Sequence, residues 1–229
     1  LGDYDVDGTS AVSLLSLGIS KLGGKVVPYI PNRKIEGHGL SHEALETAVN
    51  SKADLLITCD CGINDIKEIK SANDLSLDVI ITDHHIPSDK LPNAYAILNP
   101  KQNDCEYPFK NLCGSGLAFK LISALIERLN EKRFSAQDFI DIAALGTSAD
   151  LVPLESENRV IVYYGLRSMQ KSKRLGMQLL LKAGNVKEPM TLSVSKINFQ
   201  ISPLINAAGR LGDANLVVKL LMTNDVNEG

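Results

Sequence analysis

The sequence has few of the residues that common nucleic-acid-binding surfaces use. Tryptophan is absent, aromatic residues make up 5% of the 229 residues, and the formal net charge is −3. A surface that stacks bases on many aromatic rings is therefore not indicated, nor is a dedicated duplex-DNA-binding protein, which is usually basic. The 44% of hydrophobic and 22% of charged residues are typical of a globular protein with a sizeable core.

Cysteines and long apolar runs are also scarce. The four cysteines, Cys59, Cys61, Cys105 and Cys113, indicate neither a disulfide framework nor a zinc finger, so we expect reduced thiols in a cytoplasmic protein. No apolar segment approaches the roughly 20 residues that a membrane span needs, and no signal peptide is visible. Because the chain opens at Leu1, almost inside a motif, we expect a fragment of a longer protein.

The first 100 residues alternate between short apolar runs and helical patterns. Strands are expected at residues 25–30, 55–58, 77–82 and 95–98, and helices at residues 8–22, 41–51 and 64–73. A strand, a helix and a second strand within about 30 residues indicate a βαβ unit and hence a parallel sheet. Because the strands are continuously apolar, we predict an α/β fold with helices on both faces of the sheet.

The remaining residues have a helical period. Helices are expected at residues 116–131, 136–149, 157–170, 176–183 and 194–200. A further helix over residues 213–222, starting at an N-cap aspartate, is expected to leave the domain. We therefore predict one domain over residues 1–210, with a sheet part (1–100) and a mainly helical part (101–210). Residues 211–229 are predicted to begin a connecting helix to a missing second domain.

Eight acidic and imidazole side chains form the most informative pattern. They lie in four groups, which are Asp3, Asp5 and Asp7; Asp60; Asp83, His84 and His85; and Asp150. The first three groups each follow an apolar run, and the carboxyl ends of parallel strands meet at one edge of a sheet. Carboxylates and imidazoles are ligands of Mn²⁺ and Mg²⁺, and two such ions about 3.5–4 Å apart can support phosphoester hydrolysis.

Each group also has an ordinary structural interpretation. Carboxylates are favourable at a helix N-terminus, which accommodates Asp3, Asp5 and Asp7. Asp60 could cap the following helix, the two histidines could bond to loop backbone, and Asp150 could form a turn. The metal-site interpretation therefore depends on the fold bringing the four groups together.

The motifs resemble those of a known family. Asp3-Tyr4-Asp5-Val6-Asp7-Gly8, Cys59-Asp60-Cys61-Gly62, Asp83-His84-His85 and Ala149-Asp150-Leu151-Val152-Pro153 resemble, in order, the four motifs of the DHH superfamily of phosphoesterases. The stretches 82–87, 112–121 and 205–214 are similar to RecJ-type single-strand-specific DNA exonucleases. The resemblance covers essentially the whole chain.

The resemblance implies a role for each group. Asp5, Asp7, Asp60, His84 and Asp150 would be ligands of one or two Mn²⁺ or Mg²⁺ ions, with Asp60 bridging. Asp3, Asp83 and His85 would be catalytic residues: Asp3 near the first ion, Asp83 orienting a histidine ring, and His85 contacting the scissile phosphate or supporting a ligand.

The resemblance also implies substrate contacts. Arg210 would face a phosphate, His38 would lie in a substrate-facing loop, and the backbone N–H groups of Gly114 and Gly116 could approach a phosphate, although tight helix packing explains these glycines equally well.

Two departures from the family pattern concern the site. Leu1 stands where some branches have a histidine ligand, so the first metal position would use Asp3 and water instead. Leu204 stands where RecJ proteins often have an arginine, which leaves Arg210 as the phosphate-facing arginine.

The resemblance implies a metal-dependent 5′→3′ exonuclease of single-stranded DNA that acts in repair and recombination. We expect a monomer that does not bind membranes, whose whole form adds a DHH-associated domain and an OB-fold domain. Two alternatives stay open. The chain could be another DHH phosphoesterase, such as an oligoribonuclease, a cyclic-dinucleotide phosphodiesterase or a pyrophosphatase, or it could be an inactive scaffold that holds single-stranded nucleic acid.

Overall fold

A parallel sheet lies at the centre of the first half of the chain. The structure is a computed structural model that describes residues 1–186 and 192–225. Within these residues the sheet contains the strands β1 (Leu55–Cys59), β2 (Asp78–Thr82) and β3 (Ala96–Leu98), in the order β1-β2-β3. Gly2 forms one further parallel bridge with Cys59. The predicted parallel sheet is therefore confirmed.

Ten α-helices are found in the described residues. They are α1 (Val6–Lys21), α2 (His42–Asn50), α3 (Ile66–Asp74), α4 (Gly114–Arg128), α5 (Ile140–Ala149), α6 (Ser156–Gln170), α7 (Leu175–Ala183), α8 (Val194–Lys196), α9 (Ser202–Leu211) and α10 (Asn215–Met222). A 3-10 turn, Ala136–Phe139, precedes α5, and a π-helical turn, Ile197–Ile201, precedes α9.

Helices cover both faces of the sheet, as the continuous apolar strands predicted. Leu56, Val79 and Ile81 point to one face, where they pack with α2 and α3. Ile57 and Cys59 point to the other face and join the larger core with α1, α4 and α5. Because successive side chains of a strand point to opposite faces, a strand covered on both sides must be apolar throughout.

The helical half packs around α5. Residues 142–145 of this helix are fully buried, and α5 contacts α1, α4 and α6. A helix that is apolar on all sides is stable only when other elements surround it. The same core therefore holds the helical half and one face of the sheet together, and it fixes where α5 ends beside the sheet.

One predicted strand is absent, and one helix was not predicted. Residues 25–30 form no strand, because the backbone N–H and C=O of Ile30 bond to the Asn215 side chain (3.0 Å each) and not to a neighbouring strand. The helix α9 was not expected: it begins directly after the π-helical turn, with Pro203 in its first turn, and ends at Gly212, which has a φ of +100°.

The last helix begins at Asn215, not at Asp213, and it packs into the domain. Val217, Val218 and Leu221 are buried in the larger core, where α10 contacts α1 and α7. The expectation that residues 213–222 leave the domain is therefore wrong, because three apolar residues on one face of this helix are buried here. Residues 226–229 of the expected connecting helix lie outside the described residues. No helix in the described ranges is both long and apolar enough to cross a membrane.

A substitution at Gly176 tests the packing of α10. A Cβ atom at this position would overlap the carbonyl oxygen of Leu220, so α7 and α10 would have to separate. We expect Gly176→Ala to lower the free energy of unfolding by about 1–3 kcal/mol, the usual cost of overpacking. The measurement is denaturant unfolding, with Lys182→Ala, an exposed site on the same helix, as the control. Equal stability of the two variants would contradict this packing.

Candidate metal centre

Three carboxylates from distant parts of the sequence meet around the His84 ring. Nε2 of His84 lies 3.0 Å from Oδ1 of Asp60, 3.8 Å from Oδ2 of Asp150 and 4.0 Å from Oδ2 of Asp7. Asp60 follows β1, His84 follows β2, Asp7 lies in the first turn of α1 and Asp150 caps the end of α5. The convergence that the metal-site interpretation required is therefore present.

Asp60 is buried and has an unfavourable backbone conformation. It is 2% exposed and has a φ of +62°, the left-handed region that non-glycine residues seldom adopt. Its backbone N–H donates to the carbonyl oxygen of Thr82 (2.8 Å), while Oδ1 makes no hydrogen bond with any described residue and has Nε2 of His84 3.0 Å away. Burial, and then the charge of Asp7, raises the pKa of Asp60 well above its usual range. A buried carboxylate with a free oxygen is a good ligand for a cation.

The N-terminus of α4 fixes the Asp7 carboxylate. The backbone N–H groups of Gly114 and Ser115 donate to its two oxygens at 2.6 and 2.9 Å. Only glycine fits at position 114, because a Cβ atom there would lie 2.5 Å from Cβ of Asp60. The N–H of Gly116 in turn lies 3.4 Å from Sγ of Cys113. The backbone N–H groups of Gly114 and Gly116 thus already donate to acceptors within the protein. This does not support their expected contact with a phosphate.

Asp83 accepts hydrogen bonds from both histidine residues. It is 1% exposed, and its oxygens accept bonds from the N–H groups of Ile63 (3.0 Å), His84 (2.7 Å) and His85 (3.1 Å) and from Nδ1 of His85 (2.8 Å). Burial alone would raise the pKa of Asp83, but these donors outweigh it and hold the pKa below its usual range. The ionised carboxylate therefore fixes the orientation of the His85 ring.

The two histidines lie in different environments. The His84 ring is buried, and burial lowers its pKa, so the neutral form that binds metals is favoured. Its Nδ1 makes no hydrogen bond with any described residue. The His85 side chain is half exposed, and its bond to Asp83 raises its pKa. The His84 ring can thus serve as a metal ligand. The His85 ring can serve as a cationic hydrogen-bond donor at the solvent-exposed side of the site.

A second group of carboxylates lies beside the first. Asp3, Asp5 and Asp60 each offer an oxygen within 4.8 Å of the others. Oδ1 of Asp5 caps α1 by accepting the N–H of Gly8 (2.9 Å), and burial, followed by the charge of Asp7, raises the pKa of Asp5 to about 6. Oδ1 of Asp3 lies 3.0 Å from Nδ1 of His38, and this bond raises the pKa of His38. His38 is thus brought to the site, with its ring 6.3 Å from that of His85.

Asp150 completes the cluster from the helical half. Its backbone N–H donates to the carbonyl oxygen of Gly146 (3.0 Å), and Oδ2 is buried without a hydrogen bond to the described residues. Burial, with the charges of Asp7 and Asp5 next, raises the pKa of Asp150 to about 7. The negative charges of these clustered carboxylates can therefore exist side by side at neutral pH only if protons or cations balance them.

Arg210 lies on the helix α9. It is exposed and lies near the end of α9, one residue after Gly209, which packs against the carbonyl oxygen of Tyr4. The helix therefore approaches the first carboxylate group, and the role of Arg210 in phosphate binding stays a prediction.

Sequence reasoning missed two residues of the site. Sγ of Cys113 lies within 4.8 Å of oxygens of Asp7 and Asp150, and nothing in the sequence separated this cysteine from the other three. Gly146 faces Asp7 so closely that a Cβ atom would lie 2.6 Å from Oδ1 of Asp7. A glycine within an otherwise apolar helix pattern was the only signal for this close approach.

Comparisons with known proteins identify the family of this chain. Residues 1–147 match the family model described as DHH family, N-terminal domain. The chain is 43% identical to the single-stranded-DNA-specific exonuclease RecJ of Bacillus subtilis (98% of this chain, 28% of the relative). It is 37% identical to RecJ of Escherichia coli (100% of this chain, 41% of the relative).

Solved structures of RecJ exonucleases also match this chain. The crystal structure of exonuclease RecJ bound to manganese matches 99% of this chain and 56% of that chain, with a TM-score of 0.88 and 36% identity. RecJ of Thermus thermophilus in complex with Mg²⁺ matches with a TM-score of 0.70 and 31% identity, over 99% of this chain and 28% of that chain. The chain spans only about a third of the length of the curated relatives. It belongs to the DHH family, carries the N-terminal domain of that family and is similar to RecJ exonucleases.

Proposed function

We propose that this chain is the catalytic domain of a metal-dependent exonuclease that degrades single-stranded DNA in the 5′→3′ direction, in repair and recombination. The observation that carries the proposal is the convergence of Asp7, Asp60, His84 and Asp150, in which two buried carboxylate oxygens lack donors among the described residues. The similarity to proteins named single-stranded-DNA-specific exonuclease RecJ supports the choice of substrate.

The residues present fit one or two Mn²⁺ or Mg²⁺ ions. One ion would be held by Asp7, Asp60, His84 and Asp150. The other would be held by Asp5 and the shared Asp60, with Asp3 near it. Such ions, when bound, neutralise charge on phosphate oxygens and make a water molecule easier to ionise. Carboxylate-rich sites are typical for these cations.

The chain's own residues would orient the DNA phosphate. The ring of His85, fixed through Nδ1 by Asp83 and half exposed, would donate from Nε2 to an oxygen of the scissile phosphate. His38, held by Asp3 with its ring 6.3 Å from that of His85, would provide a second donor, and Arg210 would bind a neighbouring phosphate. Each group would stabilise negative charge that develops during hydrolysis.

The whole protein would contain more than this chain. The curated relatives are longer, and we propose that a DHH-associated domain and an OB-fold domain complete the binding site for single-stranded DNA. The four cysteines are unpaired in the structure, in line with a cytoplasmic protein. A monomeric state is part of the same proposal.

A comparison of substrates tests the function. With Mn²⁺, we expect hydrolysis of long single-stranded DNA to exceed that of dinucleotides, cyclic dinucleotides and pyrophosphate, and a blocked 5′ end to stop it. Asp60→Asn should abolish hydrolysis, because both proposed ion positions use this carboxylate. Asp78→Asn, at the exposed start of β2, is the matched control and should retain activity.

The outcomes separate the alternatives. Faster turnover of a dinucleotide or of pyrophosphate would indicate another DHH phosphoesterase. Binding of single-stranded DNA without any Mn²⁺-dependent hydrolysis would indicate a scaffold and would refute the exonuclease proposal.

Substitution of the two histidines should give different defects. His84→Ala should weaken Mn²⁺ binding by about 10–100-fold, because it removes a buried ligand. His85→Ala should leave Mn²⁺ affinity within about threefold and lower the hydrolysis rate, by about 100-fold for a lost donor to developing charge. Isothermal titration with Mn²⁺ and rate measurements at saturating metal would check this. If His85→Ala reduced metal affinity more, the two roles would be assigned the wrong way round.

Metal binding should depend on pH through the carboxylates. Without a cation the pKa values of Asp5 and Asp150 are raised to about 6 and about 7, so both carry protons below these values. Because a cation needs the ionised form, Mn²⁺ affinity should fall as the pH is lowered from about 7.5 to about 5.5, and binding should release protons. Calorimetry in two buffers with different ionisation enthalpies counts these protons. Asp150→Asn should reduce the number released at a pH of about 6.5, and an unchanged number would contradict the assignment.

A further inference from the structure

A thiol lies at the edge of the proposed metal centre. Cys113 is the N-cap residue of α4 and is fully buried. Its Sγ lies within 4.8 Å of an oxygen of Asp7 and an oxygen of Asp150, and those two oxygens are equally close to each other. Ligands of a single cation are separated by distances in this range, since each lies about 2–2.5 Å from the ion.

A second observation points to a cation at the same place. Oδ1 of Asp60 is buried, makes no hydrogen bond with any described residue and lies 3.0 Å from Nε2 of His84. The same nitrogen lies 3.8 Å from Oδ2 of Asp150 and 4.0 Å from Oδ2 of Asp7, the two carboxylates beside the thiol. A buried oxygen without a hydrogen bond therefore belongs to the same centre as the carboxylates that the thiol approaches.

The mixture of ligands determines which cations fit. Mn²⁺ and Mg²⁺ prefer oxygen ligands, whereas Zn²⁺ and Cd²⁺ also bind sulfur strongly. We propose that Cys113 is a further ligand of this centre for thiophilic divalent cations, so that Zn²⁺ or Cd²⁺ binds through Sγ of Cys113 together with Asp7 and Asp150. This inference rests on the proposed metal centre and concerns its selectivity.

The surroundings of the thiol can accommodate this change. Sγ of Cys113 donates to Oγ1 of Thr147 over 3.3 Å and accepts the N–H of Gly116. Coordination breaks the S–H bond, releases its proton to solvent and forms the bond between sulfur and the cation. The Thr147 hydroxyl remains satisfied through its own bond to the carbonyl oxygen of Ala143 (2.8 Å). The Gly116 N–H still donates to the sulfur, and the charge of a bound cation would offset the burial that raises the pKa of this thiol well above its usual range.

The functional consequence is competition between metals. A cation held by sulfur as well as carboxylates would displace Mn²⁺ or Mg²⁺ from the ion position that contains Asp7 and Asp150. Traces of zinc would therefore inhibit hydrolysis that depends on Mn²⁺, and removal of the thiol would relieve the inhibition.

Cadmium alone is the probe. Cys105, the half-buried cysteine, is first replaced by serine to remove non-specific binding, and Cys113→Ser is added to this protein. Serine keeps an N-cap oxygen, so α4 retains its cap. We expect the Cys105→Ser protein to show the ultraviolet charge-transfer absorption of a cadmium–thiolate bond, saturating at one equivalent. The double variant should lose this absorption and bind Cd²⁺ about tenfold or more weakly, while its Mn²⁺ affinity stays within about threefold.

The possible results are distinct. Absence of the absorption in the Cys105→Ser protein, or its persistence in the double variant, would overturn the thiol ligand while Mn²⁺ binding left the proposed metal centre intact. Failure of both proteins to bind Mn²⁺ would overturn the metal centre and this inference together. If the double variant does not fold, zinc X-ray absorption of the Cys105→Ser protein decides: one sulfur neighbour supports the proposal, and a shell of oxygen and nitrogen only refutes it.

Discussion

Repulsion among buried carboxylates is the constraint on which this structure depends. Asp5, Asp7, Asp60 and Asp150 lie close together in a site with little solvent, and burial is the first cause of the raised pKa values of Asp5, Asp60 and Asp150. Such a cluster costs folding free energy unless positive charge balances it. The surrounding fold must therefore hold these side chains against a force that would separate them.

Three features of the fold supply that restraint. The ends of β1 and β2 place Asp60 and His84 side by side, because adjacent parallel strands end at the same edge. The N-terminus of α4 donates two backbone N–H groups to Asp7 and favours its negative charge. The buried helix α5 delivers Asp150 from the other half of the chain. Close packing at Gly114 and Gly146 leaves these elements little freedom to move apart.

Much of this arrangement could be predicted from the sequence. Continuous apolar strands predicted a sheet covered on both faces, and the positions of Asp60 and His84 after those strands predicted their proximity. The remaining elements depended on distant partners. Residues 25–30 have the apolar pattern of a strand, but the Asn215 side chain takes the hydrogen bonds of Ile30. The helix α10 carries apolar residues that a connecting helix could also have used for contact with another domain, and only the packing shows that they face α1.

The sequence by itself determined the donor set and its order along the chain, because residue type fixes which cations a side chain can bind. Only the tertiary structure decided which donors share a site and how each is held. It placed Sγ of Cys113 beside Asp7 and Asp150, and it directed the amide of Gly114 to a carboxylate. The physical reason is that ligand distances and hydrogen-bond directions arise from contacts between residues far apart in the sequence, 107 and 108 positions for Asp7 with Gly114 and Ser115, which no local pattern encodes.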